Sequence, residues 1–306
     1  MSERFFVAHM QKTAGTTLRD RLRASFTDEQ IYPNASDGPD ARTAVISVSH
    51  LRERWAARGD RIRLLTGHFP VRTAELLGVP FVTMTVLRDP VDRTLSFLRH
   101  QAERRQRGAT EDTPLVEIYE DPFRFTHMIQ NHMVRTLSLS PEEMLADDGV
   151  LTPVPYTPDR LERAKEALAG LDLFGLQDRF EEFCDELSAR YGLDVGTPLR
   201  TNTTQPGAIP DGLADRIAED NALDMALYDY ARSLYETRAA QARPSEQLDV
   251  AERHGLVVHG PLRSNTTELV DVPDGFADRI AEDNALDMEL YDYACSLYGE
   301  RHRSPG

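Results

Sequence analysis

Residues 9–18 read HMQKTAGTTL, and residues 12–17 gather a lysine, a glycine and three threonines. The stretch has the composition of a phosphate-binding loop, but in an unusual order. A loop for a nucleoside triphosphate reads G-x-x-x-x-G-K-[ST], with glycines before the lysine and a hydroxyl after it for Mg²⁺. Here Lys12 comes first, Thr13, Gly15, Thr16 and Thr17 follow, and residues 1–11 contain no glycine. A second stretch, VLRDPVDRTLSFLRHQ at 86–101, places Arg88 just before an Asp-Pro pair and Ser96 about two helical turns further on. An arginine fork suits phosphate, and a helix N-terminus offers unpaired N–H groups to an anion. The Lys12 loop and Arg88 therefore suit two anionic groups of one ligand. ATP has a single phosphate chain, whereas a nucleotide phosphorylated at both ends of its ribose would use both sites.

These residues need a scaffold that brings strand ends together. RFFVAHM (4–10) reads as a buried strand, and Leu18, Leu22 and Phe26 recur at helical spacing after the loop. Residues 28–43 are polar, contain Pro33, Gly38 and Pro39, and read as a loop. AVISVS (44–49), IRLLTG (62–67) and FVTMTVL (81–87) read as strands, HLRERWAAR between the first two as a helix, and 71–77 as a short helix. Asp89 and Pro90 mark the start of a helix over 91–107. Residues 114–190 read as mainly helical, with a brief apolar run at LDLFGLQ (171–177). Strands alternating with helices predict an α/β fold: a P-loop-like parallel sheet flanked by helices, with a mainly helical C-terminal part. In such a sheet the carboxyl ends of the strands share one crevice.

With these motifs in order, the chain resembles the sulfotransferases that use 3′-phosphoadenosine 5′-phosphosulfate (PAPS), and in particular the carbohydrate branch that includes heparan sulfate 2-O-sulfotransferase. HMQKTAGTTL is similar to that family's 5′-phosphosulfate loop, and RDPVDRTLS to its 3′-phosphate motif. LTGHF (65–69) matches a Gly-His pair whose histidine is the general base of that branch. NHMVRTL (131–137), LFGLQDRFEEFCDEL (173–187) and NALDMALYDYA (221–231) resemble later family blocks, so the resemblance covers about residues 4–238. It implies that Lys12, Thr13, Gly15, Thr16 and Thr17 cradle the 5′-phosphosulfate, that Arg88 and Ser96 bind the 3′-phosphate, and that His68 takes the proton of an acceptor hydroxyl. Lys12 is implied to meet charge developing on the leaving phosphate. Arg200 and Asn202 fall in the family's C-terminal loop region, where a nucleotide contact is expected. The implied product is adenosine 3′,5′-bisphosphate, no metal is required, and the acceptor is a small molecule or a carbohydrate, including the sugar of a glycolipid. Gln11 stands where the family often has proline. His9 reads as structural, Arg135 equally as a support of the nucleotide site or a solvated helix residue, and 99–107 as a solvated helix face.

The whole chain fits this class. Its 306 residues carry a formal charge of −16, which argues against a general nucleic-acid partner. Cys184 and Cys295 are the only cysteines and form no metal spacing, so both read as reduced thiols. No apolar run approaches a membrane span, and the expected location is cytoplasmic. The C-terminal third repeats itself: 192–235 returns at 255–298 without a gap. The expected organisation is a sulfotransferase domain over 1–238, a linker and start of the repeat over 239–254, and a duplicated loop-plus-helix element over 255–306. The duplication also allows a homodimer through an exchanged tail. Two rival readings stand beside the transferase: a P-loop-like kinase, and a non-catalytic nucleotide-binding module.

Overall fold

The computed structural model describes residues 3–38, 41–106, 114–146, 151–196 and 209–242. The elements of the first half are β1 (Phe5–Ala8), α1 (Gly15–Arg23), β2 (Ile31–Tyr32), α2 (Ala41–Ile46), α3 (Val48–Arg58), β3 (Leu64–Gly67), β4 (Val82–Leu87) and α4 (Pro90–Gln106). Then come α5 (Leu115–Glu120), α6 (Pro122–Arg124), α7 (His132–Ser138), α8 (Pro141–Ala146), α9 (Pro158–Ala169), β5 (Leu173–Leu176), α10 (Phe180–Tyr191), α11 (Leu213–Asp220) and α12 (Ala222–Ala242). The five strands form one parallel sheet in the order β2-β3-β1-β4-β5.

Because successive strand side chains alternate, each apolar run feeds two cores. Phe6, Ala8, Leu65, Leu87, Phe174 and Leu176 pack on one face against Leu51, Val134, Leu168 and Leu227 of α3, α7, α9 and α12. Phe5, Val7, Leu64, Met84, Val86 and Leu173 pack on the other against Leu18 and Leu22 of α1 and Phe183 and Leu187 of α10. Burial of each Val, Leu, Phe or Met side chain here contributes about 1.5–3 kcal/mol. A bidentate pair from Arg21 to Glu181, 2.9 Å at both oxygens, ties α1 to α10. A third cluster joins α2, α4, α5 and α11 through Ile46, Leu95, Leu98, Ile118 and Ile217.

The α/β class with a parallel sheet holds, as do the strands at β1, β3 and β4 and the helix that begins at Pro90. Two expectations are corrected. AVISVS is no strand: it divides between α2 and α3, with the Ser47 side chain accepting from the His50 N–H to start the second helix. Val45 and Ile46 are buried in the cluster with Leu95 and Leu98 of α4, and Val48 in the core beneath the sheet, rather than paired as a strand. The edge beside β3 is taken instead by Ile31 and Tyr32, inside the stretch expected to be only a loop. Asp37 holds that region down, accepting from Arg54, from both sides of Arg58 and from the Asn34 N–H. Burial opposes its ionisation, but Arg58, Asn34 and Arg54 outweigh it and hold the carboxyl below its usual range. Arg200, Asn202 and the duplicated element over 255–306 lie outside the described residues.

Candidate active site

The carboxyl ends of β1, β3 and β4 lead into the loop before α1, into His68 and into Arg88. In the loop, Lys12 and Ala14 have φ of 64° and 69°. Left-handed residues on either side of Thr13 curl the backbone into a concavity of N–H groups, an anion nest. The first i→i−4 bond of α1 is Leu18 to Ala14, so the N–H groups of Gly15, Thr16 and Thr17 belong to the helix's open first turn. Thr13 is buried and its hydroxyl donates to the Met10 carbonyl at 3.0 Å. Its side chain therefore shapes the loop, and what it can offer a ligand is its N–H. Lys12 is half-buried at the rim. Gly15 is required by contact: a Cβ there would lie 1.9 Å from the His9 ring.

Arg88 joins the two motifs. Its guanidinium donates to the Lys12 carbonyl at 3.2 Å, while its buried Nε has no protein partner. Burial, and Arg99 beside it, pull its pKa down against the support of Asp92 and Asp89. A cation in that position gains from an incoming anion. Asp89 caps α4 by accepting from the N–H groups of Val91 and Asp92 at 2.9 and 3.0 Å. Ser96 lies further along α4, half-buried. Arg99 and His100 are also half-buried, so the beginning of the expected solvated face is partly enclosed.

His68 follows β3 and is buried. Its N–H donates to the Val45 carbonyl of α2, and Gly67 lets the chain pass, since a Cβ would meet the Phe69 ring at 2.5 Å. The imidazole Nδ1 sits 2.9 Å from the His9 carbonyl. A carbonyl only accepts, so Nδ1 carries the hydrogen and Nε2 is the proton acceptor of the neutral ring.

Behind these residues lies a buried polar layer that the sequence motifs did not assign. Arg93 and Arg135 donate to the carbonyls of the π-helical turn Phe125–Ile129. Arg135 is thus neither a solvated residue nor a direct part of the loop site. It also donates to His132 Nδ1 at 3.0 Å. Burial, with Arg93, Arg135 and His68 as further causes, holds His132 well below its ordinary pKa and therefore neutral. Asn131 and Asp224 exchange caps: Asp224 accepts from the Met133 and Val134 N–H groups of α7, and Asn131 accepts from the Leu223 and Asp224 N–H groups of α12. Nothing short of the paired helices reveals such an exchange, though the polar residues in NHMVRTL and NALD were its sequence trace.

Lys12, Thr13, Gly15, Thr16 and Thr17 thus share one loop and helix start, with Arg88 bonded to that loop and His68 bonded to its first residue. The donor set suits an anion bearing phosphate-type oxygens: nest, lysine, and an arginine with an unpaired buried nitrogen. Among the described residues no group of three or more His, Cys, Asp or Glu side chains could hold a metal ion, and no helix is long and apolar enough to cross a membrane.

No family model matches the chain. Heparan-sulfate 6-O-sulfotransferase 1 of Homo sapiens is 27% identical over 294 residues, covering 79% of this chain and 67% of that protein. The Cricetulus griseus protein of the same name is 30% identical over 203 residues, 55% of this chain and 48% of its own length. Heparan-sulfate 6-O-sulfotransferase 2 of Gallus gallus is 28% identical over 203 residues, 56% and 49% respectively. The chain spans from about half to two thirds of these relatives. A sulfotransferase crystal structure from Alicyclobacillus acidocaldarius superposes with a TM-score of 0.38 at 18% identity, over 74% of this chain and 96% of that one, too loosely to bear on the site. The matched relatives are named as 6-O-sulfotransferases rather than 2-O-sulfotransferases. By sequence, the chain is similar to the heparan-sulfate 6-O-sulfotransferases.

Proposed function

We propose that this protein transfers a sulfuryl group from PAPS to a hydroxyl of a carbohydrate, with His68 as the general base. The observation that carries the reading is the bond from His68 Nδ1 to the His9 carbonyl. It presents Nε2 as the proton acceptor at the root of a loop shaped for an anion. PAPS would supply the activated sulfuryl group. The N–H groups of the loop and Lys12 would hold the 5′ end, where preorganised donors meet charge that grows on the leaving phosphate. Arg88, with Ser96 behind it, would hold the 3′-phosphate. The chemistry needs no hydroxyl after a Gly-Lys pair, which accounts for the order of the loop. The relatives' names point to heparan-type chains and their 6-hydroxyls as the first acceptors to try.

The deciding experiment is transfer from labelled PAPS to a panel containing heparan-type oligosaccharides, other sugars and simple alcohols. Labelled sulfate on a sugar hydroxyl is the expected result. Tight binding of the bisphosphate with no transfer to any acceptor would leave a nucleotide-binding module. Phosphoryl transfer from ATP with Mg²⁺ to an acceptor hydroxyl, and no sulfuryl transfer from PAPS, would make it a kinase.

A further inference from the structure

His9 lies between His68 and the first residue of α1, and the family motifs give its side chain no task. Its ring faces that of His68 with centroids 4.6 Å apart and planes 33° from parallel. Both rings are buried, at 9% and 8% exposure. On another side the His9 ring touches Gly15, the first residue of α1, so closely that a Cβ would lie 1.9 Å from Cδ2 and 2.4 Å from Nε2. The same residue's carbonyl accepts from His68 Nδ1 at 2.9 Å. One residue therefore wedges between the base and the start of the donor loop's helix, with its backbone setting the tautomer of His68 and its ring setting the orientation.

We infer that His9 is a positioning residue, whose imidazole holds the His68 ring so that Nδ1 stays on the His9 carbonyl and Nε2 remains the proton acceptor. The inference rests on His68 being the base, but the arrangement itself can be read without any substrate. A side chain that stacks against one face of His68 removes its freedom to rotate about the Cβ–Cγ bond. Without that stack the ring can turn and exchange tautomers, and a reacting group displaced by about 1 Å can lose about a hundredfold in rate. Gly15 completes the wedge, because any larger residue would drive the His9 ring out of its seat.

The test uses the full chain in three forms: wild type, His9→Ala and His9→Phe. Nitrogen-15 NMR of the imidazoles reports the His68 tautomer in the absence of substrate, and kcat, KM and bisphosphate affinity are measured in parallel. Wild type should show a single Nδ1–H tautomer at His68. His9→Ala should show mixed tautomers and a kcat lowered about 10- to 100-fold, with bisphosphate affinity within about threefold. His9→Phe keeps a planar ring and the carbonyl, so it should restore the tautomer and most of the turnover. If the alanine variant does not fold, His9→Leu replaces it in the comparison. An unchanged tautomer and kcat in the alanine or leucine variant would overturn the inference. So would equal damage from phenylalanine, since the imidazole would then act by its own chemistry. Scrambled tautomers in His9→Ala alongside a wild type that transfers no sulfate would uphold the positioning and sink only the transferase reading.

Discussion

Among the site residues, Arg88 and His68 make separable contributions. A bisphosphate offers a second anion where AMP does not, and Arg88 brings an unpaired buried nitrogen to the loop. Calorimetry should therefore find adenosine 3′,5′-bisphosphate bound far more tightly than AMP without divalent metal. Arg88→Ala should erase the preference, a loss of about 1.5–3 kcal/mol for one charge-assisted contact. Equal affinity for the two nucleotides in wild type would end the two-anion assignment. His68→Ala should lower turnover by about 10²–10⁴-fold with bisphosphate binding nearly intact, while Lys12→Ala should damage both; near-normal turnover in the histidine variant would mean another base. The loop's affinity for an anion was legible in the sequence because it depends on residue types within a few positions. The tasks of His9 and the inward turn of the Thr13 hydroxyl were not, because both are set by residues brought in from β3 or by the loop's own curl.

The elements behind the site depend on buried charge. Burial drives the Asp224 carboxyl up from an ordinary 3.8 to about 6, against the pull of Arg93, two N–H groups and Arg135. The raised folded value means that, between about pH 4 and 6, the folded chain keeps a proton that the unfolded chain has released. Stability from this group is complete below the unfolded value and is lost as pH rises through about 6. Asp37 has the opposite sign, since its lowered value makes its contribution present above 3.8 and lost as pH falls below it. Chemical denaturation from pH 4 to 7 should show wild type losing stability relative to Asp224→Asn as pH rises. A constant difference between the two would show that Asp224 does not titrate there. Asp224→Ala should cost about 1–3 kcal/mol for each of the two amides it leaves unpaired, read as a lowered denaturation midpoint. At this scale the sequence was legible wherever an apolar run met a clear boundary, as at β4 and the Asp89-Pro90 start of α4. It misled at AVISVS, where a strand-like composition is overridden by the Ser47 cap and by burial against α4. The π-helical turn had no local signal, since its carbonyls are satisfied by Arg93, 35 and 36 positions before them, and by Arg135, 9 and 8 positions after.

At the scale of the whole chain, the repeat asks how many copies the fold uses. In the first copy, Leu213 and Ile217 of α11, Asn221 between the helices, and Asp224, Leu227, Tyr228, Ala231 and Tyr235 of α12 are buried. The second copy carries Ile280, Asn284, Asp287, Leu290, Tyr291, Ala294 and Tyr298 at the matching positions, and Phe276 at that of Leu213. Differences fall elsewhere, for example at exposed Arg232 and Glu236, matched by Cys295 and Gly299. Because the first copy already seats its helix against α7 and α9 and caps α7 through Asp224, one copy satisfies the core. A chain ending after Arg238 should fold with a denaturation midpoint close to that of the full chain and should still bind the bisphosphate. Arg200→Ala should then weaken binding more than Arg263→Ala. A shortened chain that is soluble but binds no nucleotide, together with binding abolished by Arg263→Ala in the full chain, would give the site to the second copy. Sedimentation of the two lengths separates a further outcome: a dimer present only in the full chain would mean that the second copy's matching residues are used between chains.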